Sequence, residues 1–187
     1  MGSRPINGDT NEFLINTERG GVMSTWSGIR HKLENEYLAE SLRGHIQYFC
    51  TSYSKSPDHH GRASIRLDGK ELISGCYWNN WSKAHLFPHD EKYEKRMSEN
   101  DAFMDETALK LGVFSEKSFY SAFHEFDNQS IEDSLNSENL IVQIFAILDR
   151  RVGKRRLINL YDTITPKDEI FNLFYSIRIN AEGIVFH

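Results

Sequence analysis

The sequence predicts an α+β fold: an N-terminal helix, a three-stranded antiparallel meander, then a C-terminal bundle of four or five helices. Three observations carry this prediction. Apolar residues alternate with period two around an Asp68-Gly69 pair, a nearly uniform apolar run (LIVQIFAIL) occupies 140–148, and helix caps and stops recur from residue 98 onward. At 187 residues the chain is long enough for one domain with a sizeable core. We therefore expect a flexible extension over 1–22, rich in Gly, Asn, Thr and charge, followed by one α+β domain over 23–187. Met23 directly precedes the first helix signal and is a candidate native start.

The helix is read from Trp26, Ile29, Leu33 and Tyr37 at helical spacing, with Leu38 and Leu42 widening the stripe and Gly44 as the stop. Residues 45–53 (HIQYFCTSY) are aromatic and β-forming, and predict the first strand. Ala63, Ile65 and Leu67 alternate with Ser64, Arg66 and Asp68, giving the second. Asp-Gly is the favoured type I′ hairpin pair, and it sets Ile65 opposite Leu72 on the third. Residues 54–62 are then the first loop.

Helical signals follow. Ser98 to Asp101 resembles a capping box, and Gly112 ends that helix. Ser115 caps a helix bearing Phe119, Tyr120, Phe123 and Phe126, and Ser130 caps another. The 140–148 run predicts a helix buried on nearly every side, with a buried strand as the competing reading. Thr165-Pro166 opens the last helix, with Ile170, Leu173, Phe174, Ile177 and Ala181 on its inner face and Gly183 as its stop.

Composition excludes several function classes. Hydrophobic residues make up 39% and charged residues 26%, which is globular rather than disordered. The formal charge of -5 argues against a general nucleic-acid or membrane-surface binder. No stretch approaches the ~20 apolar residues of a membrane span, and the N-terminus lacks the apolar segment of a signal peptide. Cys50 and Cys76 lie in apolar, strand-like runs and read as buried thiols, so a reducing, cytoplasmic setting is expected.

Charge is uneven. Positions 89–139 hold 13 acidic residues against 5 basic ones, whereas Arg150, Arg151, Lys154, Arg155 and Arg156 place five cations within 150–156. A bipolar surface suits a protein partner better than a polyanion. If Gly153 is the C′ residue of the 140–148 helix, Arg150 and Arg151 lie in its last turn and complement the macrodipole. Lys154, Arg155 and Arg156 then pair with the acidic middle segment, or face an acidic partner or a phosphate.

Other constellations carry less chemistry. Asp58-His59-His60 has two imidazoles and a carboxylate, but adjacent residues seldom point at one ion and no further ligand stands at a metal-binding spacing. His85 and His89 have i, i+4 spacing, but Pro88 lies between them. Cys50 could serve as a nucleophile, but within such a strand it reads better as an apolar filler. Tyr77, Trp78, Asn79, Asn80 and Trp81 form an aromatic and carboxamide group able to stack on a base or sugar or to anchor an interface, or simply to close the sheet end. No G-x-S-x-G, Walker or G-x-G-x-x-G pattern occurs. No cofactor or metal is expected.

SLRGHIQYF (41–49), SIRLDGKEL (64–72), AILDRRVGKRRL (146–157) and FYSIRINAEGI (174–184) resemble an uncharacterised family of small bacterial proteins, found in Shigella and other bacteria as hypothetical proteins. The similarity runs from about Met23 to Ile184 and brings no activity, cofactor or catalytic residue with it. Some members of that family lie near toxin-immunity gene clusters, and for this chain the resemblance then implies a partner-binding role. The expected function is a non-enzymatic intracellular protein-binding module, immunity-like, that presents an acidic helical face and the cation cluster. The alternative is a phosphate- or nucleic-acid-binding protein, or a hydrolase, using the same cations with Tyr77, Trp78 and Trp81. A metal hydrolase on Asp58, His59 and His60 ranks third.

Overall fold

The computed structural model describes residues 25–52, 61–76, 116–164 and 169–186. Thr25 caps the first helix, its Oγ1 accepting the Gly28 amide at 3.3 Å. Helix α1 (Trp26–His31) continues as a π-helical turn over Lys32–Tyr37, closed by the Leu38 amide on the Leu33 carbonyl. The helix ends at Tyr37, not at Gly44 as the apolar stripe predicts. Leu38 and Ala39 are extended because they pair with another part of the chain. Ala39 N–H donates to Leu148 at 2.9 Å, and Arg150 N–H donates to Tyr37 at 2.7 Å. A 3₁₀ turn (Glu40–Leu42) and Gly44, at φ +81°, lead into the sheet.

Strands β1 (Ile46–Ser52), β2 (Gly61–Leu67) and β3 (Lys70–Cys76) form an antiparallel meander in the order β1-β2-β3. Asp68 and Gly69 both have positive φ, as a type I′ turn requires. The expected register holds only next to that turn. A bulge after Ile65 leaves Leu72 unpaired and sets Ile65 opposite Ile73 instead. Ile65 and Ile73 then both join the buried face, with Ile46, Tyr48, Cys50 and Ala63. On the opposite face Glu71 bridges Arg62 and Arg66, and Arg66 lies 4.5 Å from the Phe49 ring.

The helices cover the inner face. Helix α2 (Glu116–Asp127) buries Phe119, Phe123 and Phe126 on one stripe, with Tyr120 half-buried beside them. The residue expected as its cap, Ser115, lies outside the described residues, as does the helix expected after Ser98. Helix α3 (Ile131–Leu135) is capped by Ser130, which accepts the Asp133 amide at 3.1 Å. Helix α4 (Leu140–Leu148) is buried at every position except Gln143, whose amide reaches the Ser137 carbonyl. The competing strand reading of this run is overturned. Phe145 of α4 stands edge-on to Phe119 at 5.3 Å and to Tyr48 at 5.7 Å, joining sheet, α2 and α4 in one aromatic core.

Helices α5 (Lys154–Ile164) and α6 (Glu169–Ala181) complete the molecule. The inner face of α6 is Phe171, Phe174, Tyr175, Arg178 and Ile179, so only Phe174 of the expected set is fully buried. Leu173 is 42% exposed. The helix is rotated from the expected stripe because Arg178 points inward. Gly183, at φ +65°, ends α6, and the Ile184 amide returns to Ile179 at 3.1 Å in a Schellman-type closure. Among the described residues, no helix is long and apolar enough to cross a membrane.

Candidate functional site

The site is built on the turn that joins α4 to α5. Asp149 ends α4 in an extended conformation and is fully buried. Its carboxylate accepts the Arg151 amide at 2.6 Å and is held side-on by the Arg151 guanidinium, with Nε at 3.0–3.1 Å and Nη2 at 2.8 Å. The same guanidinium lies over the Tyr37 and Phe126 rings, at 5.1 and 5.4 Å. Pairing with Asp149 raises the Arg151 pKa further.

A second carboxylate sits behind those rings. Asp127 accepts the Tyr37 hydroxyl and the Lys32 ammonium, the latter at 2.9–3.0 Å. Burial pushes the Asp127 carboxyl up, but those two hydrogen bonds outweigh it and hold the group below its ordinary value. Burial, then the Asp127 partner, pushes the Tyr37 phenol up to about 12.

Beneath the turn lies Arg178, 3% exposed. Its Nη1 donates to the Leu148 carbonyl and its Nη2 to the Val152 carbonyl, both at 3.0 Å, and Glu182 lies 3.3 Å from Nη2. Burial lowers the Arg178 pKa, while Glu182 and Asp149 oppose that shift. Glu182 also accepts Ser41 Oγ at 2.7 Å, and its backbone carbonyl accepts Lys154 at 2.8 Å.

This geometry corrects the reading of Gly153. Helix α4 stops at Leu148, and Gly153 heads the next helix, its carbonyl accepting the Arg156 and Leu157 amides at 2.9 and 3.1 Å. Arg150 and Arg151 therefore lie in a turn and not on a helix C-terminus. Lys154, Arg155 and Arg156 occupy the first turn of α5, which contains no acid. A cation at that end opposes the macrodipole and costs about 0.3–1 kcal/mol.

The five cations divide by role. Arg151 is bound to Asp149, and Arg156 meets Glu132 of the acidic middle segment at 2.9 Å, as one of the expected alternatives has it. Lys154 touches Glu182 but stays 63% exposed. Arg150 and Arg155 are exposed, and neither side chain has a polar partner among the described residues.

An apolar patch that sequence reasoning missed adjoins them. Ile158 and Tyr161 on α5 are 47% and 49% exposed, and Val185 and Phe186 are 72% and 37% exposed. The Tyr161 and Phe186 rings stack at 4.1 Å with 24° between planes. Ile158 lies one helical turn from Lys154, Arg155 and Tyr161. Its i, i+3 spacing to Tyr161 was the available signal, but the same spacing ordinarily marks a core face.

A family model matches residues 25–179, from the cap of α1 to Ile179 in α6. The chain belongs to the SF0329 protein family. This uncharacterised family agrees with the resemblance read from the sequence. The SF0329 match takes in the whole cation turn together with Ile158 and Tyr161, while Val185 and Phe186 lie beyond it. No curated protein and no solved structure matches the chain.

Of the other candidate residues in this SF0329 chain, Tyr77, Trp78, Asn79, Asn80 and Trp81 lie outside the described residues. So do Asp58, His59, His60, His85 and His89. Cys50 is described, and it is buried. Burial, reinforced by the nearby Glu116 carboxylate, pushes its thiol far up, while the Tyr120 hydroxyl opposes the shift weakly. A nucleophilic thiolate is therefore strongly disfavoured, as an apolar filler requires.

Proposed function

We propose that this SF0329 chain is a non-enzymatic, intracellular protein-binding module of an immunity-like kind. It meets its partner through the exposed face of α5 and the cation turn before it. The observation that carries this reading is the stacked Tyr161–Phe186 pair, exposed one helical turn from Ile158, which itself lies one turn from Lys154 and Arg155. Solvent-facing aromatics next to arginine are the composition of interface centres. The immunity-like part of the reading comes from the family resemblance alone.

The test is a tagged capture from native host lysate at moderate salt, split into nuclease-treated and untreated halves. One protein recovered equally in both halves, and lost on Tyr161→Glu, supports the module. Nucleic acid recovered in its place and abolished by nuclease overturns it in favour of phosphate reading by Lys154 and Arg155.

A further inference from the structure

We infer that the α5 face receives an acid-rimmed apolar segment of the partner protein; this rests on the binding-module reading above. The face has two halves. Its apolar half is Ile158, Tyr161, Val185 and Phe186, which leave substantial ring and aliphatic surface in water. Its basic half is Lys154 and Arg155, one helical turn nearer the start of α5.

The charge of the basic half is only partly used within the chain: Lys154 donates to the Glu182 carbonyl at 2.8 Å and lies 3.7 Å from its carboxylate, yet stays 63% exposed. Arg151 and Arg156 are each held by a carboxylate, at 2.8 and 2.9 Å. Arg155 has no polar partner among the described residues, and no acid stands in the first turn of α5 to offset the helix dipole. An incoming carboxylate there meets the Arg155 guanidinium, the Lys154 ammonium and the positive end of α5 together. Apolar residues next to that carboxylate would then cover Ile158 and the Tyr161–Phe186 stack.

A nucleic-acid strand fits the face less well. Tyr161 already gives one ring face to Phe186, Ile158 and Val185 offer a phosphate nothing, and the chain carries a net charge of -5. The chemistry selects a protein segment in which acids flank apolar residues.

The experiment places photoreactive benzoylphenylalanine at Tyr161 in the full chain, with exposed Ser121 and Asn136 as control positions. Each protein is irradiated in native host lysate, and the cross-linked peptides are sequenced. We expect a cross-link at position 161 to one partner segment with Asp or Glu within four residues of the attached apolar residue. Its yield should fall at least fivefold in high salt, and similarly with Arg155→Glu. A partner captured from Ser121 or Asn136 but not from position 161 overturns the assignment of this face while leaving the binding module standing. A cross-link to a basic segment, a second copy of the chain or nucleic acid overturns the partner chemistry. Silence at all three positions, with nothing retained in the capture experiment, removes the module reading itself.

Discussion

The Arg178 guanidinium donates to the Leu148 carbonyl at 3.0 Å and so caps the C-terminus of α4 from inside the molecule. A second nitrogen takes the Val152 carbonyl, so one side chain fixes both ends of the turn between α4 and α5. No other described side chain donates to either carbonyl.

Replacing Arg178 with Met should therefore destabilise the protein by about 2–4 kcal/mol: the Val152 carbonyl is orphaned, the Leu148 carbonyl keeps only the Ala39 amide, and Glu182 loses its buried cation while keeping Ser41 and Lys154. Arg178→Lys should recover less than half, since an ammonium cannot span both acceptors. Urea unfolding midpoints measure both; a wild-type midpoint for the Met variant would mean that water or another donor replaces the cap.

The Asp149–Arg151 and Glu132–Arg156 pairs offer a direct contrast. The first is side-on to a fully buried carboxylate, and the second joins two exposed side chains. Double-mutant cycles to Ala should give a coupling of about 1.5–3 kcal/mol for the first and under about 1 kcal/mol for the second. Equal couplings would show that the buried Asp149 gains nothing from its setting.

Acid stability should follow two depressed carboxylates. Hydrogen bonding to Arg62 first, and to Arg66 and Ser74 after it, pulls Glu71 down to about 2 against partial burial, and Asp127 is also lowered. Folded values below the unfolded ones mean that the stabilisation is complete above about pH 4.5 and is lost as pH falls toward about 2. Glu71→Gln should flatten that decline in acid-titrated thermal melts. An unchanged slope would remove Glu71 from the account.

Gly61 stands where a Cβ would collide with both the Thr51 carbonyl oxygen and the Glu116 carboxylate. A side chain can rotate away, but a paired strand carbonyl cannot. Gly61→Ala should cost about 1–3 kcal/mol, with β1 and α2 losing hydrogen-exchange protection together. Glu116→Ala in the same background should restore little, because the backbone contact remains.

The sequence was legible wherever a signal is complete within a few residues. Asp68-Gly69, the Ser130 cap and the apolar run of α4 each stand where they were read. It was opaque wherever distant segments decide. The stop at Tyr37 depends on Leu148 and Arg150, the bulge that gives Ile65 to Ile73 depends on what both must pack against, and the burial of Arg178 depends on carbonyls elsewhere in the chain. Gly153 misled because glycine serves either side of a helix boundary. The candidate site suffered most, since knowing which cations are left over requires knowing which are already bound.

The pairing of Leu38 with Asp149 also has a temporal side. The ribosome releases Leu38 early, yet the residues that close its backbone emerge only after more than half the chain has followed. Until then Leu38, buried in the finished molecule, has no partner for its bridge to Asp149. The nascent chain therefore carries an unsealed apolar segment until Asp149 has been made. Truncation before Leu148 would leave a fragment suited to chaperones and proteases rather than to a partner.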